Sequence, residues 1–467
     1  MRLYKHQKAA IQRAKQGNLA LFHECGTGKT LTALRIIEHW KKTLKKTWHS
    51  ALVVCPRSII APAWMADAAR FTPALSVVSL RGKDSADRLR RLKEPADVYV
   101  VNFETFRTMF DALSARDFSL LIVDESSKMK SPDSQITRAL LALAGVASRG
   151  KSKKFAIGKV IPYRYVLSGT PAPNDRREYW AQMNLVSPGQ AFSDNYYSFR
   201  CRYFTPTPLG RTGINLWTFT QNPALVEEFA SRMAPYCDVV SKRDAVDLPS
   251  QVHLVRQVEL DSAERQAYDT LHRDLAIRFA NEEVLAASAL VEVMKSRQLT
   301  SGFCYGSDCK HYITGTSKLT ELLALLEEIG ERPVIIWCSF RYEMSKILTD
   351  VPYSAVLTGT DQERHKVITD FTQGRIRTLI ANPQSAGHGL TFTNCSYAVY
   401  FSLTWSYELA KQSQDRIHRI GQHHKCTYYY LVAKDTIDEV IFDAVRHKKN
   451  LSENVLDYLK HSRPGGA

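Results

Sequence analysis

Short runs of consecutive apolar residues, with no polar alternation, recur along the first third of the chain: Leu19 to Phe22, Ala51 to Val54, Val98 to Val101, Leu120 to Val123 and Tyr165 to Ser168. Runs this brief are too short for helices. A strand covered on both faces has no polar side to alternate with, so they read as doubly buried strands. Between them lie stretches of helical spacing, among them Thr30 to Leu44 and Asp133 to Leu143. Such alternation predicts a parallel sheet flanked by helices. A second series, Val334 to Trp337, Thr378 to Ala381, Tyr397 to Phe401 and Tyr428 to Val432, repeats the pattern. The chain therefore reads as α/β, built as two open lobes. From about Ser187 to Thr316 the pattern turns to helix-rich segments broken by Pro and Gly. This gives a first domain of residues 1–245 with a helical insertion from about 187, and a second of residues 246–467 with one at about 262–310. The crossing falls near Asp247 to Gln251.

Composition narrows the class. The 467 residues are 44% hydrophobic and 24% charged, which excludes a disordered tail, a coiled coil and a collagen-like fibre. No apolar run reaches the ~18 residues of a membrane span, and the N-terminus lacks the apolar stretch of a signal peptide. The expectation is no membrane and a cytoplasmic protein, or a nuclear one if the source is eukaryotic. Sixty-three Lys and Arg against 47 Asp and Glu leave a net charge of +16, which points to a polyanion such as nucleic acid. The nine cysteines contain no CxxC pair, so reduced thiols are expected rather than a zinc site.

Three strings carry chemistry. In LALFHECGTGKT a strand runs into a Gly-rich turn and then a helix, the context of a phosphate-binding loop. Gly26 and Gly28 would let backbone N–H groups face a phosphate at a helix N-terminus, Lys29 would reach the β and γ phosphates, and Thr30 would hold Mg2+. The first glycine of the full GxxxxGK[ST] pattern is replaced by His23. In LLIVDESSK, Asp124 and Glu125 end an apolar strand, where a parallel sheet presents its ligands. Asp124 would hold the metal and Glu125 would orient or deprotonate the attacking water. In QSQDRIHRIGQ, Arg416 and Arg419 stand three apart, so both would project from one helical face and could neutralise charge on a γ-phosphate. The aromatic stretch Asp194 to Phe204 reads chiefly as helical core rather than a stacking platform for bases.

In order and content these strings resemble helicase superfamily two, and within it the Swi/Snf-like ATPases. LYKHQ resembles the adenine-reading segment with Gln7 as its Gln, HECGTGKT motif I, ALVVCPRSIIAPAW motif Ia and VYVVNFETF motif Ib. LLIVDESSKMKSPDSQITRAL resembles motif II with its extension, and YVLSGTPAPN resembles motif III. SKLTELLALLEE, PVIIWCSF, SAGHGLTF and DRIHRIGQ resemble motifs IV to VI with their approaches. The resemblance spans nearly the whole chain. It departs from the family at motif II, where Ser127 replaces the His that couples hydrolysis to the other motifs, and at motif V, which reads SAGHGLTF around Gly387 and Gly389.

The resemblance implies two RecA-like lobes with ATP and Mg2+ between them. Lys29, Glu125, Arg416 and Arg419 would be catalytic. Gln7, Gly26, Thr27, Gly28, Lys29, Thr30, Asp124 and Gly389 would bind the nucleotide, with Thr30 and Asp124 on the metal, and Ser168, Thr170 and Gln412 would couple. It also implies a DNA-dependent ATPase that tracks along double-stranded DNA without separating its strands. Two alternatives stay open, a strand-separating DNA or RNA helicase and a nucleotide-switched DNA clamp. Candidate nucleic-acid contacts are Arg57 and the basic stretch Arg149 to Arg164, with Lys151, Lys153 and Lys154, which could release counterions from a phosphate backbone or stay merely solvated. A compact bacterial or phage motor, acting as a monomer with any protein partner unidentified, is expected.

Overall fold

The computed structural model describes residues 3–146, 155, 157–208, 217–245, 248–281, 286–306, 311–386 and 390–446. The chain forms two compact units that divide between Asp247 and Leu248. Among the described residues no helix is long and apolar enough to cross a membrane.

The first unit is built on strands β1 (Leu19–His23), β2 (Ala51–Cys55), β3 (Val77–Ser79), β4 (Val98–Asn102), β5 (Leu120–Asp124), β6 (Tyr163–Leu167), β7 (Phe204–Pro208), β8 (Trp217–Gln221) and β9 (Cys237–Val240). Seven of them form a parallel sheet in the order β3-β4-β2-β5-β6-β1-β9. Every residue of β1, β2, β4 and β5 is buried. Successive side chains point to opposite faces, and each face meets its own apolar layer. Leu52, Val54, Leu121 and Val123 enter one layer, with Leu140 and Leu143 of the helix Gln135–Leu143. Ala51, Val53, Leu120 and Ile122 enter the other, with Leu34 and Ile37 of helix α2 (Lys29–Leu44). Two covered faces are why these strands read as unbroken apolar runs.

The second unit holds β10 (Gln251–Val258), β11 (Phe303–Tyr305), β12 (His311–Ile313), β13 (Val334–Trp337), β14 (Ser354–Val356), β15 (Thr378–Ala381), β16 (Tyr397–Tyr400) and β17 (Cys426–Ala433). Six make a parallel sheet in the order β10-β17-β16-β13-β15-β14. The helix Ser317–Ile329 is locked onto this sheet by a buried ion pair between Lys318 and Asp438, the latter also hydrogen-bonded by Thr300. Charges this deep persist only when paired and further hydrogen-bonded.

The stretch read as helix-rich, from about 187 to 316, holds more strand than its pattern suggested. It supplies the antiparallel hairpin β7–β8, strand β9 of the first sheet and strand β10 of the second. The reason is local: β9 is only four residues long and carries a buried Asp238, while β10 is a half-exposed edge with a mixed polar sequence. Neither has the apolar signature of a doubly covered strand. The aromatic side chains of the stretch 194–204 are chiefly core, with Phe199, Tyr203 and Phe204 packed around Phe229 and Tyr197 the one aromatic among them that is largely exposed.

Candidate nucleotide and hydrolytic site

Sheet order does the first work. Strands β5, β6 and β1 are neighbours, so the loops after them emerge side by side at one edge of the sheet. Asp124 ends β5 and Glu125 follows it, Ser168 to Thr170 follow β6, and the phosphate loop 24–28 follows β1.

The phosphate loop turns on Gly26 and Gly28, whose φ values of +86° and +83° lie in the left-handed region that favours glycine. A Cβ on Gly28 would also strike the Gln7 amide. Gln7, on helix α1 (Lys5–Ala14), is buried; its amide nitrogen lies 3.5 and 3.4 Å from the Thr27 and Gly28 carbonyls, and its oxygen accepts from the Tyr4 N–H at 3.0 Å. Thr27 donates its hydroxyl to the Glu24 carbonyl at 2.8 Å. Gly28 caps α2, so its dipole and first N–H groups point into the loop, and Lys29 and Thr30 begin the helix. Lys29 Nζ donates to the His23 carbonyl at 2.9 Å.

His23, at the position where the phosphate-loop pattern has its first glycine, is fully buried, and its Nε2 meets Asp238 Oδ2 at 2.7 Å. Asp238 also accepts from Arg13 of α1 at 3.1 Å. Burial pushes the His23 ring below its ordinary value, with the Asp238 bond opposing. Helix α1, the end of β1 that leads into the phosphate loop and edge strand β9 are thus tied by one polar chain that sequence spacing could not reveal, because Asp238 lies 215 residues from His23.

Asp124 is 4% exposed, and both of its oxygens hold a donor: the Glu125 N–H to Oδ1 at 2.9 Å and the indole N–H of Trp64 to Oδ2 at 3.0 Å. Burial pushes its carboxyl up, opposed by the Lys29 ammonium and by these hydrogen bonds. Trp64 sits in a π-helical turn, Ile60–Met65, a rare geometry that is frequent at functional sites. Its place in the motif Ia string is the only signal in the sequence. Glu125 has φ +53°, a left-handed conformation that costs a non-glycine residue about 1–2 kcal/mol and collects at functional sites. Asp124 and Thr30 offer the hard oxygen donors a Mg2+ ion takes, so the residues present fit that ion.

The motif III turn closes on the phosphate loop. Ser168 and Thr170 are buried, Thr170 N–H donates to Ser168 Oγ at 3.1 Å, and a Cβ on Gly169 would come within 2.9 Å of Cys25 Sγ. Arg57 is exposed just beyond the end of β2. Lys151, Lys153, Lys154 and Gly389 lie outside the described residues, as does Gly387.

In the second unit Arg416 and Arg419 do converge, but by a route other than the one their spacing predicted. The helix Tyr407–Gln414 ends before them, and both lie on the turn that follows. The Gln412 carbonyl, which a continuing helix would give to the Arg416 N–H, is taken instead by Arg416 Nε at 2.8 Å, and that N–H turns to Ser413. Arg416 and Arg419 each donate an NH1 to the Leu390 carbonyl, at 3.1 and 3.0 Å. Gln412 is buried, with its amide 3.5 Å from Glu408.

A glycine-rich loop at a helix N-terminus, two adjacent carboxylates at the end of a strand and, in the other unit, a turn carrying two arginines are residue types that nucleotide hydrolysis uses. The SNF2-related domain model matches residues 6–311, and the Helicase conserved C-terminal domain model matches residues 317–421. The chain belongs to the SNF2-related family. This SNF2-related protein is a nucleic-acid-dependent ATP hydrolase with one parallel, helix-flanked sheet in each of its two units. It is similar to protein p41 of Acyrthosiphon pisum secondary endosymbiont phage 1, 26% identical over 455 residues and 93% of each chain. It is also similar to the human DNA annealing helicase and endonuclease ZRANB3, 25% identical over 470 residues; the match covers 96% of this chain but only 39% of that relative. Among solved structures it resembles the Sulfolobus solfataricus SWI2/SNF2 ATPase core in complex with dsDNA, at 19% identity and a TM-score of 0.45, covering 97% and 93% of the two chains.

Proposed function

We propose that this SNF2-related ATPase translocates along double-stranded DNA without separating its strands, as a monomer inside a bacterial or phage-infected cell. The observation that carries the reading is the adjacency of β5, β6 and β1, which sets the hydrolytic carboxylates, the motif III turn and the phosphate loop beside one another. The net charge of +16 and a DNA-acting relative support the choice of DNA.

In this mechanism the phosphate loop and Lys29 hold the triphosphate, with Gln7 reading the base. Thr30 and Asp124 would hold a Mg2+ ion, which when bound would neutralise negative charge on the triphosphate. Glu125 orients a water and takes its proton as the new P–O bond forms, and the bond from the γ-phosphorus to the bridging oxygen breaks to leave ADP. Arg416 and Arg419 from the second lobe stabilise the charge on the departing phosphoryl group. Ser168 and Thr170 pass the nucleotide state to the DNA grip, assisted by Gln412.

The test is ATP hydrolysis with no nucleic acid, single-stranded DNA, duplex DNA and RNA, with Glu125→Gln as blank. Strong stimulation by duplex DNA, followed by displacement of a triplex-forming strand, is the expected result. Preference for single strands with displacement from a tailed duplex would establish a strand-separating helicase instead. Slow turnover indifferent to nucleic acid would establish a nucleotide-switched clamp.

A further inference from the structure

Motif II of this chain lacks the histidine that would couple hydrolysis to motif III, and Ser127 stands there, buried. The structure offers another connection one residue earlier. Ser126 immediately follows Glu125 and has no exposed surface. Its hydroxyl donates to Gln182 Oε1 at 2.7 Å. Gln182, equally buried, donates its amide N–H groups to the Pro171 carbonyl at 2.6 Å and the Glu178 carbonyl at 3.2 Å. Pro171 directly follows the Ser168 to Thr170 turn.

The amide orientation is fixed by its neighbours. Turned over, Gln182 would set its own oxygen against two carbonyl oxygens, with no donor between them. The chain of bonds therefore has one polarity, hydroxyl to amide oxygen and amide nitrogen to carbonyl, and joins the turn holding Glu125 to the turn of motif III. Buried, fully satisfied networks of this kind move as units, because displacing one member strands the others without water. Gln182 lies on the helix Tyr179–Val186, every residue of which is buried, so the amide cannot relax outward.

We propose that Gln182 is the positioning residue through which motif II and motif III are coupled in this protein, taking over the task of the missing histidine. When Glu125 shifts with the state of the γ-phosphate, Ser126 carries Gln182, and Gln182 carries the Pro171 carbonyl and with it the motif III turn. The inference rests on the reading of the protein as a DNA-stimulated motor.

The test uses the full chain and three variants: Ser126→Ala, Gln182→Met, which keeps length and volume but removes both hydrogen-bonding ends, and the double variant. The readouts are kcat and KM for ATP with and without saturating duplex DNA, with thermal melts as a check on folding. The expected result is a loss of about tenfold in DNA-stimulated kcat with KM for ATP within twofold of wild type. The double variant should be no worse than either single, the signature of one shared pathway. Ser126→Ala, which removes only a hydroxyl, carries the test if Gln182→Met does not fold. Undiminished stimulation in folded variants, or losses that multiply in the double, would overturn the coupling role alone. A wild-type enzyme that no nucleic acid stimulates would overturn the motor reading and this inference with it.

Discussion

Asp124 has lost nearly all contact with water and retains two donors, the Glu125 N–H and the Trp64 indole. A carboxylate held at both oxygens can present its remaining lone pairs in only one direction, which is what a metal with strict octahedral preference requires. Trp64→Phe keeps the buried ring and removes only the N–H. The lost bond costs about 1–3 kcal/mol, because a charged acceptor is left short of a donor in a dry site. Outer partners of metal ligands typically contribute 10–100-fold in metal affinity. The expected outcome is therefore a rise of roughly tenfold or more in the Mg2+ concentration for half-maximal binding of a fluorescent ATP analogue, in a protein that still melts cooperatively. An unchanged Mg2+ dependence would show that Trp64 serves packing alone. His23, with Asp238, makes the companion point that residues invisible to motif spacing hold the visible ones in place.

At the scale of elements, the buried helix Tyr179–Val186 and Glu178, the one buried residue of the turn before it, support the motif III loop. Asn174 donates to Glu178 Oε1 at 3.0 Å, while Oε2 is buried without a hydrogen bond. Burial pushes this carboxyl up to about 7, with the Asn174 bond and the Lys130 charge opposing. The sign follows from which state releases its proton first. Between pH 4.5 and 7 the unfolded chain is already ionised while the folded one still holds its proton. Stability from this group is thus full below that window and lost as pH rises through it. The shift corresponds to about 3 kcal/mol. Glu178→Gln should therefore gain stability relative to wild type between pH 5 and pH 8, read as the difference between their urea midpoints at the two pH values, which cancels the other titrating groups. Equal differences at both values would mean Glu178 is ionised in the folded state. The same scale shows what the sequence could convey. Strands covered on both faces, such as β2 and β5, announced themselves as apolar runs, and the glycines of the phosphate loop did so by spacing. Strand β9 was hidden because its Asp238 is buried through Arg13 and His23, partners more than 200 residues away. The turn at Arg416 was hidden because a side-chain nitrogen, not the backbone, took the Gln412 carbonyl. Helical spacing predicted that the two arginines would lie together, and it predicted the wrong element beneath them.

For the whole molecule, the proposed chemistry is divided between two units, each with its own sheet and core. Everything proposed to grip the triphosphate and prepare the water belongs to the first, whereas Arg416 and Arg419 belong to the second. Binding and turnover should therefore be separable by mutation in the intact chain. Arg416 is 6% exposed and bonded through both Nε and NH1, so its loss would also disturb the turn; Arg419 is the cleaner probe. Arg419→Ala should bind a fluorescent ATP analogue within about twofold of wild type, because the phosphate loop is untouched. Its DNA-stimulated turnover should fall by ~10³-fold, the lower end of what an arginine that stabilises phosphoryl transfer contributes. Arg419→Lys should recover little of this, since an ammonium keeps the charge and loses the planar fork. If Arg419→Ala instead weakened binding and turnover in the same proportion, the arginine would hold the ground state of the nucleotide, and the division of labour between the units would fail. If neither changed, the charge on the departing phosphoryl group would have to be met within the first unit, where Lys29 is the cation closest in sequence to the phosphate loop.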